Sequence, residues 1–204
     1  MAKRNQQLDT WSQLNARAPV RYTCGWCDSL VGATVGFDYV DGGGAALSAV
    51  RLCPNCNYPT FLDPMGTVVP ESPYGEQVEH LSSDLAGLYG EARNCVSVGA
   101  THAAVMVGRK IIMHVAVDKG AKENQGFGAY VDYLVKNNLV PPDTEGWVDE
   151  IRQLGNDANH EIFDIGTDEA KATVDFVAML LRLLYEYPAK GAASVAARAA
   201  KDAK

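Results

Sequence analysis

Two cysteine pairs of identical spacing, Cys24-Gly25-Trp26-Cys27 and Cys53-Pro54-Asn55-Cys56, constrain this chain more than any other feature. Thiolates on one tight turn can occupy two corners of a tetrahedron, and a second turn supplies the other two. Gly25 and Pro54 both suit such knuckle turns. The pattern predicts one structural Zn2+ per chain, held by Cys24, Cys27, Cys53 and Cys56. An iron centre or a set of redox thiols is the competing reading. Four thiolates leave no open coordination position, so zinc catalysis is not expected. A ribbon this small buries too little apolar surface to fold alone, and metal binding should supply most of its folding free energy.

The residues between the pairs read as one hairpin. Leu30 to Val40 is rich in Val, Thr, Phe and Tyr; Asp41-Gly42-Gly43-Gly44 turns the chain; Ala45 to Leu52 returns it. Upstream, residues 6–17 are expected to form a short helix ended by Ala18-Pro19, and Val20 to Tyr22 a strand. Pro64, Gly66, Pro70, Pro73 and Gly75 punctuate residues 63–78 too often for regular structure. The expected organisation is an N-terminal segment 1–18, a zinc ribbon 19–63, a linker 64–78, a helical domain 79–189 and a basic, Ala-rich tail 190–204. A length of 204 residues suits two such units. The tail has few large apolar residues to dock it, so fraying is the default.

Helical periodicity with recognisable starts and stops sets in from Glu79. Ser82 or Ser83 can cap a first helix that reaches about Val98 and stops at Gly99. Thr101 is expected to cap a second, apolar around most of its circumference, that reaches Asp118. Its polar row is His102, Lys110 and His114, read as edge or satisfied core residues. A third helix spans about Phe127 to Asn138, and Asp143 or Thr144 caps a fourth. A fifth starts at Thr167 and continues to Tyr187-Pro188. The fold class is mainly α, a bundle of about five helices behind a small β ribbon.

Charge narrows the function. Residues 64–187 hold nine Lys/Arg against nineteen Asp/Glu, so broad non-specific nucleic-acid binding, which rests on cations neutralising phosphates, is disfavoured. Trp26, Arg21, Tyr22, Arg51 and Tyr58 could form a stacking and phosphate-binding face on the ribbon, but in so small a module the aromatics are more often the core, and two or three arginines are not a basic patch. Cys95 reads as a buried apolar side chain. No stretch approaches a membrane span, and Met1 to Asp9 lacks the pattern of a secretory signal, so a cytoplasmic protein with reduced thiols is expected.

One helix carries groups that could do chemistry together. Along the fourth, Asp149, Arg152, Asn156 and His160 fall at steps of three, four and four, beside an apolar stripe of Trp147, Ile151, Leu154 and Ala158. The stretch Trp147-Val148-Asp149-Glu150-Ile151-Arg152-Gln153-Leu154-Gly155-Asn156-Asp157-Ala158-Asn159-His160-Glu161 resembles the family called domain of unknown function 4145. Ala170 to Ala189, ending in Leu184-Tyr185-Glu186-Tyr187-Pro188-Ala189, and Gly108-Arg109-Lys110-Ile111-Ile112-Met113-His114 fit the same resemblance, which covers roughly residues 79–189. That family is similar to the HEPN helical bundles, whose members include metal-independent ribonucleases and non-catalytic nucleotide-binding or adaptor modules, often in anti-phage or related conflict systems. The resemblance implies a homodimer acting on RNA, a nucleotide or a partner protein. In an endoribonuclease, His160 would be general base on a ribose 2′-hydroxyl, Arg152 would stabilise phosphate charge and Asn156 would orient either group. Seven residues separate Arg152 from His160, a wider spacing than the catalytic members use. The bland reading pairs Asp149 with Arg152 and leaves Asn156 and His160 on backbone groups.

Overall fold

The computed structural model describes residues 15–142, 144–160 and 165–202, with the backbone alone at 145 and 154–160. The chain divides into two compact units, Met1–Pro73 and Tyr74–Lys204.

The first unit is an antiparallel meander of five strands in sequence order: β1 (Asn15–Thr23), β2 (Leu30–Val40), β3 (Ala46–Leu52), β4 (Pro59–Leu62) and β5 (Val68–Val69). Two of its turns use one device. Asp41 Oδ1 accepts from the amides of Gly43 and Ala45 at 2.8 and 2.9 Å, and Asp63 Oδ1 accepts from those of Met65 and Thr67 at 2.8 and 2.7 Å. Gly44 and Gly66 then take the left-handed backbone, φ 82° and 86°, that closes each loop. The second turn and β5 fall within the punctuated stretch 63–78. Its prolines stay out of the ladder while Asp63 and Gly66 do the turning. The helix expected over residues 6–17 falls largely outside the described residues, but its end is corrected. Asn15 to Arg17 are strand, because Asn15 and Ala16 pair with Gly36 and Val35 of β2. Tyr22, Val31, Ala33 and Leu62 form a small core together with Cys24 and Cys53.

The second unit is helical: α1 (Ser83–Ser97), α2 (Thr101–Asp118), α3 (Phe127–Lys136), α4 (Glu145–His160), α5 (Thr167–Leu181) and α6 (Tyr187–Asp202), with a π-helical turn over Arg182–Glu186 joining the last two. Ser82 caps α1 by accepting from the Leu85 amide at 3.3 Å, and Gly99, φ 72°, ends the turn beyond it. Thr101 is not a cap. It is the first helical residue of α2, and Ala100 stands at the cap position without a side-chain bond. α2 is the centre of the unit: Ala104, Val105, Ile111, Ile112, Val115 and Ala116 are fully buried among neighbouring helices.

Tyr187-Pro188 does not end the fifth helix. Pro188 has no N–H for the carbonyl four residues back, and its ring crowds that carbonyl. The preceding turn widens so that the Tyr187 amide bonds Arg182 O, five residues back, and the helix continues as α6. The tail is therefore helical through Asp202, where fraying was expected. The segment before α1 is stitched to the same unit: buried Arg93 donates from Nε to Tyr74 O at 2.7 Å and from a terminal nitrogen to Gly75 O at 2.6 Å, and Tyr89 Oη donates to Glu76 O at 2.8 Å.

Candidate metal centre

The two cysteine loops are copies of one backbone. In the first, the Asp28 amide bonds Cys24 O at 2.8 Å and the Cys24 amide bonds Ser29 O at 3.0 Å; in the second, the Asn57 amide bonds Cys53 O and the Cys53 amide bonds Tyr58 O at the same distances. Each loop leaves through a left-handed residue, Asp28 at φ 58° and Asn57 at φ 62°, and Asx side chains tolerate that conformation best after glycine. The repeat is therefore five residues long, Cys-x-x-Cys-Asx. The sequence reading missed its fifth position, which Asp28 and Asn57 would have signalled.

The β2–β3 hairpin carries one loop back against the other, so that all four sulfurs lie within 4.8 Å of one another. Cys24 Sγ is 3.8 Å from Cys56 Sγ, and Cys27 Sγ is 3.8 Å from Cys53 Sγ. Four sulfurs at about 2.3 Å from a central ion stand about 3.8 Å apart at tetrahedral corners. The donor set therefore fits a metal ion, which Cys24, Cys27, Cys53 and Cys56 can hold.

The surroundings of Cys27 favour its thiolate. The Asn55 side-chain Nδ2 donates to Cys27 Sγ at 3.5 Å and to Ser29 Oγ at 2.9 Å. Burial alone would raise the Cys27 thiol, but hydrogen bonds from Asn55 and Ser29 outweigh it and hold the group at about 6; burial pushes Cys24 and Cys56 up. Four adjoining sulfurs cannot all ionise without a cation to offset their repulsion, and a bound metal removes that obstacle. Cys24 and Cys53 are fully buried. Gly25 lies against a third segment: a Cβ there would stand 2.0 Å from Pro70 O and 2.5 Å from Glu71 O. Trp26 and Tyr58, one from each loop, stack at 5.1 Å, and Trp26 Nε1 donates to Pro59 O at 2.8 Å.

The wider ribbon face offers less to nucleic acid than its composition suggests. Tyr22 is buried, and buried Arg51 is spent on Asp38 at 2.6 Å and on Phe37 O at 2.9 Å. Arg21, Trp26 and Tyr58 remain on or near the surface.

On α4, Val148 and Ile151 are buried, and half-buried Trp147 meets Phe176 of α5 edge-on at 5.2 Å. The Arg152 guanidinium is held by two carboxylates, Asp149 one turn back at 2.5 Å and Asp132 of α3 at 2.7 Å. The side chains of Asn156 and His160 lie outside the described residues. The helix runs through Gly155 without interruption. His102, Lys110 and His114 are exposed along α2, and Cys95 is half-buried against the core, its thiol pushed up by burial. Among the described residues no helix is long and apolar enough to cross a membrane.

Comparison with known proteins finds one family. The profile of the domain of unknown function (DUF4145) matches residues 90–199. No curated protein and no solved structure matches the chain.

Proposed function

Because the chain belongs to the domain of unknown function (DUF4145) family, with a four-cysteine ribbon ahead of the matched helices, we propose that it is a zinc-stabilised binding or adaptor protein. In this reading the ion is Zn2+, one per chain, and its role is structural. All-thiolate tetrahedral sites select zinc or iron, and a closed four-cysteine shell without an open position suits a structural zinc. The helical unit is HEPN-like and homodimeric, and recognises a nucleic acid, a nucleotide or a partner protein in anti-phage defence or a related conflict system. The working compartment is the cytoplasm, where free thiols persist.

The observation that carries the adaptor reading is the state of Arg152. A guanidinium meant for a scissile phosphate must offer its donors to a ligand, whereas this one already spends two nitrogens on Asp132 and Asp149. Together with the wide spacing to His160, this supports recognition over RNA cleavage. The test is incubation of the purified protein with mixed RNAs in excess chelator, for wild type, Arg152→Ala and His160→Ala. Identical RNA profiles from all three support the adaptor; chelator-resistant cleavage lost in both variants overturns it in favour of a metal-independent endoribonuclease using Arg152, Asn156 and His160.

A further inference from the structure

Arg109 holds an unusual place in α2. It is 6% exposed, its Nη1 has no hydrogen-bond partner, and among the described residues no carboxylate pairs with it. Its guanidinium carbon lies over the Phe127 ring, 4.5 Å from the ring centroid. A buried cation without a counter-charge costs free energy that packing with an apolar residue would avoid. Burial duly lowers its affinity for the proton.

Beside it lies an open hollow of about 400 Å³ lined by Met106, Val107, Arg109, Lys110 and Met113. Met106, Arg109, Lys110 and Met113 follow the i, i+3, i+4, i+7 rule, so one face of α2 carries buried Arg109 and exposed Lys110 between two thioethers. The volume falls in the range of small-molecule sites, which are mostly apolar with a few placed polar groups. Methionine walls can reshape around a guest.

We propose that this hollow binds a small organic anion, with its oxyanion head on Arg109 and Lys110 and its apolar body along Met106, Val107 and Met113. A carboxylate and a phosphate monoester share that chemistry. The site lies wholly within the helical unit. It adds a ligand to the binding reading and is independent of the metal centre, whose integrity is checked separately by metal content.

The experiment uses the full-length protein with 13C-labelled methionine methyls, titrated with octanoate, octyl phosphate, octanol and octylamine below their micelle concentrations. Saturable shifts of Met106 and Met113 with octanoate or octyl phosphate are expected, with Met65 of the ribbon, 91% exposed, unmoved. Whichever anion binds more tightly identifies the head group. Octanol should bind at least about tenfold more weakly, as loss of a charge-assisted hydrogen bond requires, and octylamine should not bind. Arg109→Met should abolish the preference for anions while leaving the melting temperature unchanged or raised; Lys110→Gln, at the surface, should weaken binding a few-fold. Octanol binding as tightly as octanoate, equal shifts at Met65, no saturable shift, or anion binding undiminished in Arg109→Met each overturns the site. If Arg109→Met fails to fold, Lys110→Gln decides: octanoate weakened a few-fold with octanol unchanged supports the site, and undiminished octanoate binding overturns it.

Discussion

Gly108 of α2 lies against Thr173 and Val177 of α5, and substituting it tests the packing of the helical unit. A Cβ there would stand 2.5 Å from Thr173 Cγ2 and 3.7 Å from Val177 Cγ2, against an optimum of about 3.5 to 4.0 Å between carbons. Roughly 1 Å must be found. Thr173 cannot swing aside cheaply: it is 1% exposed, stiff about χ1, and its Oγ1 donates to Glu169 O at 3.0 Å. Overpacking of this kind costs about 1 to 3 kcal/mol, while removing a glycine from a helix interior returns about 0.8 to 1 kcal/mol. Gly108→Ala should therefore destabilise the protein by about 1 kcal/mol net, lowering the melting temperature of the helical unit by roughly 3 to 5 °C. Thr173→Ser keeps the hydroxyl and deletes the obstructing methyl, at a cost of about 1 kcal/mol alone. In that background Gly108→Ala should turn from harmful to stabilising, a coupling of about 2 kcal/mol. Gly87→Ala, where a Cβ meets nothing within 4 Å, is the control and should stabilise by about 0.5 to 1 kcal/mol. Urea unfolding followed by helical circular dichroism measures all four variants. If Gly108→Ala stabilises the wild type as Gly87→Ala does, or if the two substitutions simply add, the close approach of the two helices is wrong.

Cys53→Ser should cut metal content sharply and unfold the ribbon while the helical dichroism persists; elemental analysis showing undiminished metal would sink the four-sulfur site. Gly25→Ala pushes a methyl into the backbone carbonyls of Pro70 and Glu71 and should destabilise the ribbon by about 2 kcal/mol or more, read as faster release of metal to a chromogenic chelator. Asp118 is held below the ordinary carboxylate range by hydrogen bonds from Lys119 and Tyr185. Because its folded proton affinity is depressed, its stabilisation is present above about pH 4 and is lost as pH falls below that value; acid unfolding of Asp118→Asn should lack this component, and an unchanged acid profile would refute it.

The cysteine spacing, the hairpin between the pairs and the starts of α1 and α5 are local signals. A turn residue, a cap or an apolar period acts within a few positions of itself, so Cys24, Cys27, Asp41, Ser82 and Thr167 could be interpreted without knowing what packs on them. Tertiary structure decided the rest. Asn15 to Arg17 are strand because β2 offers an edge to pair with. The helix passes Pro188 because the preceding turn widens to the π form. Asp132 reaches Arg152 from twenty positions away, a partner no spacing rule proposes. Arg109 sits one residue from the recognised polar row, yet it was hidden from sequence reasoning. Whether a cation on a nearly all-apolar helix meets water, a carboxylate or an aromatic ring depends on which helices surround it, and periodicity alone cannot state that.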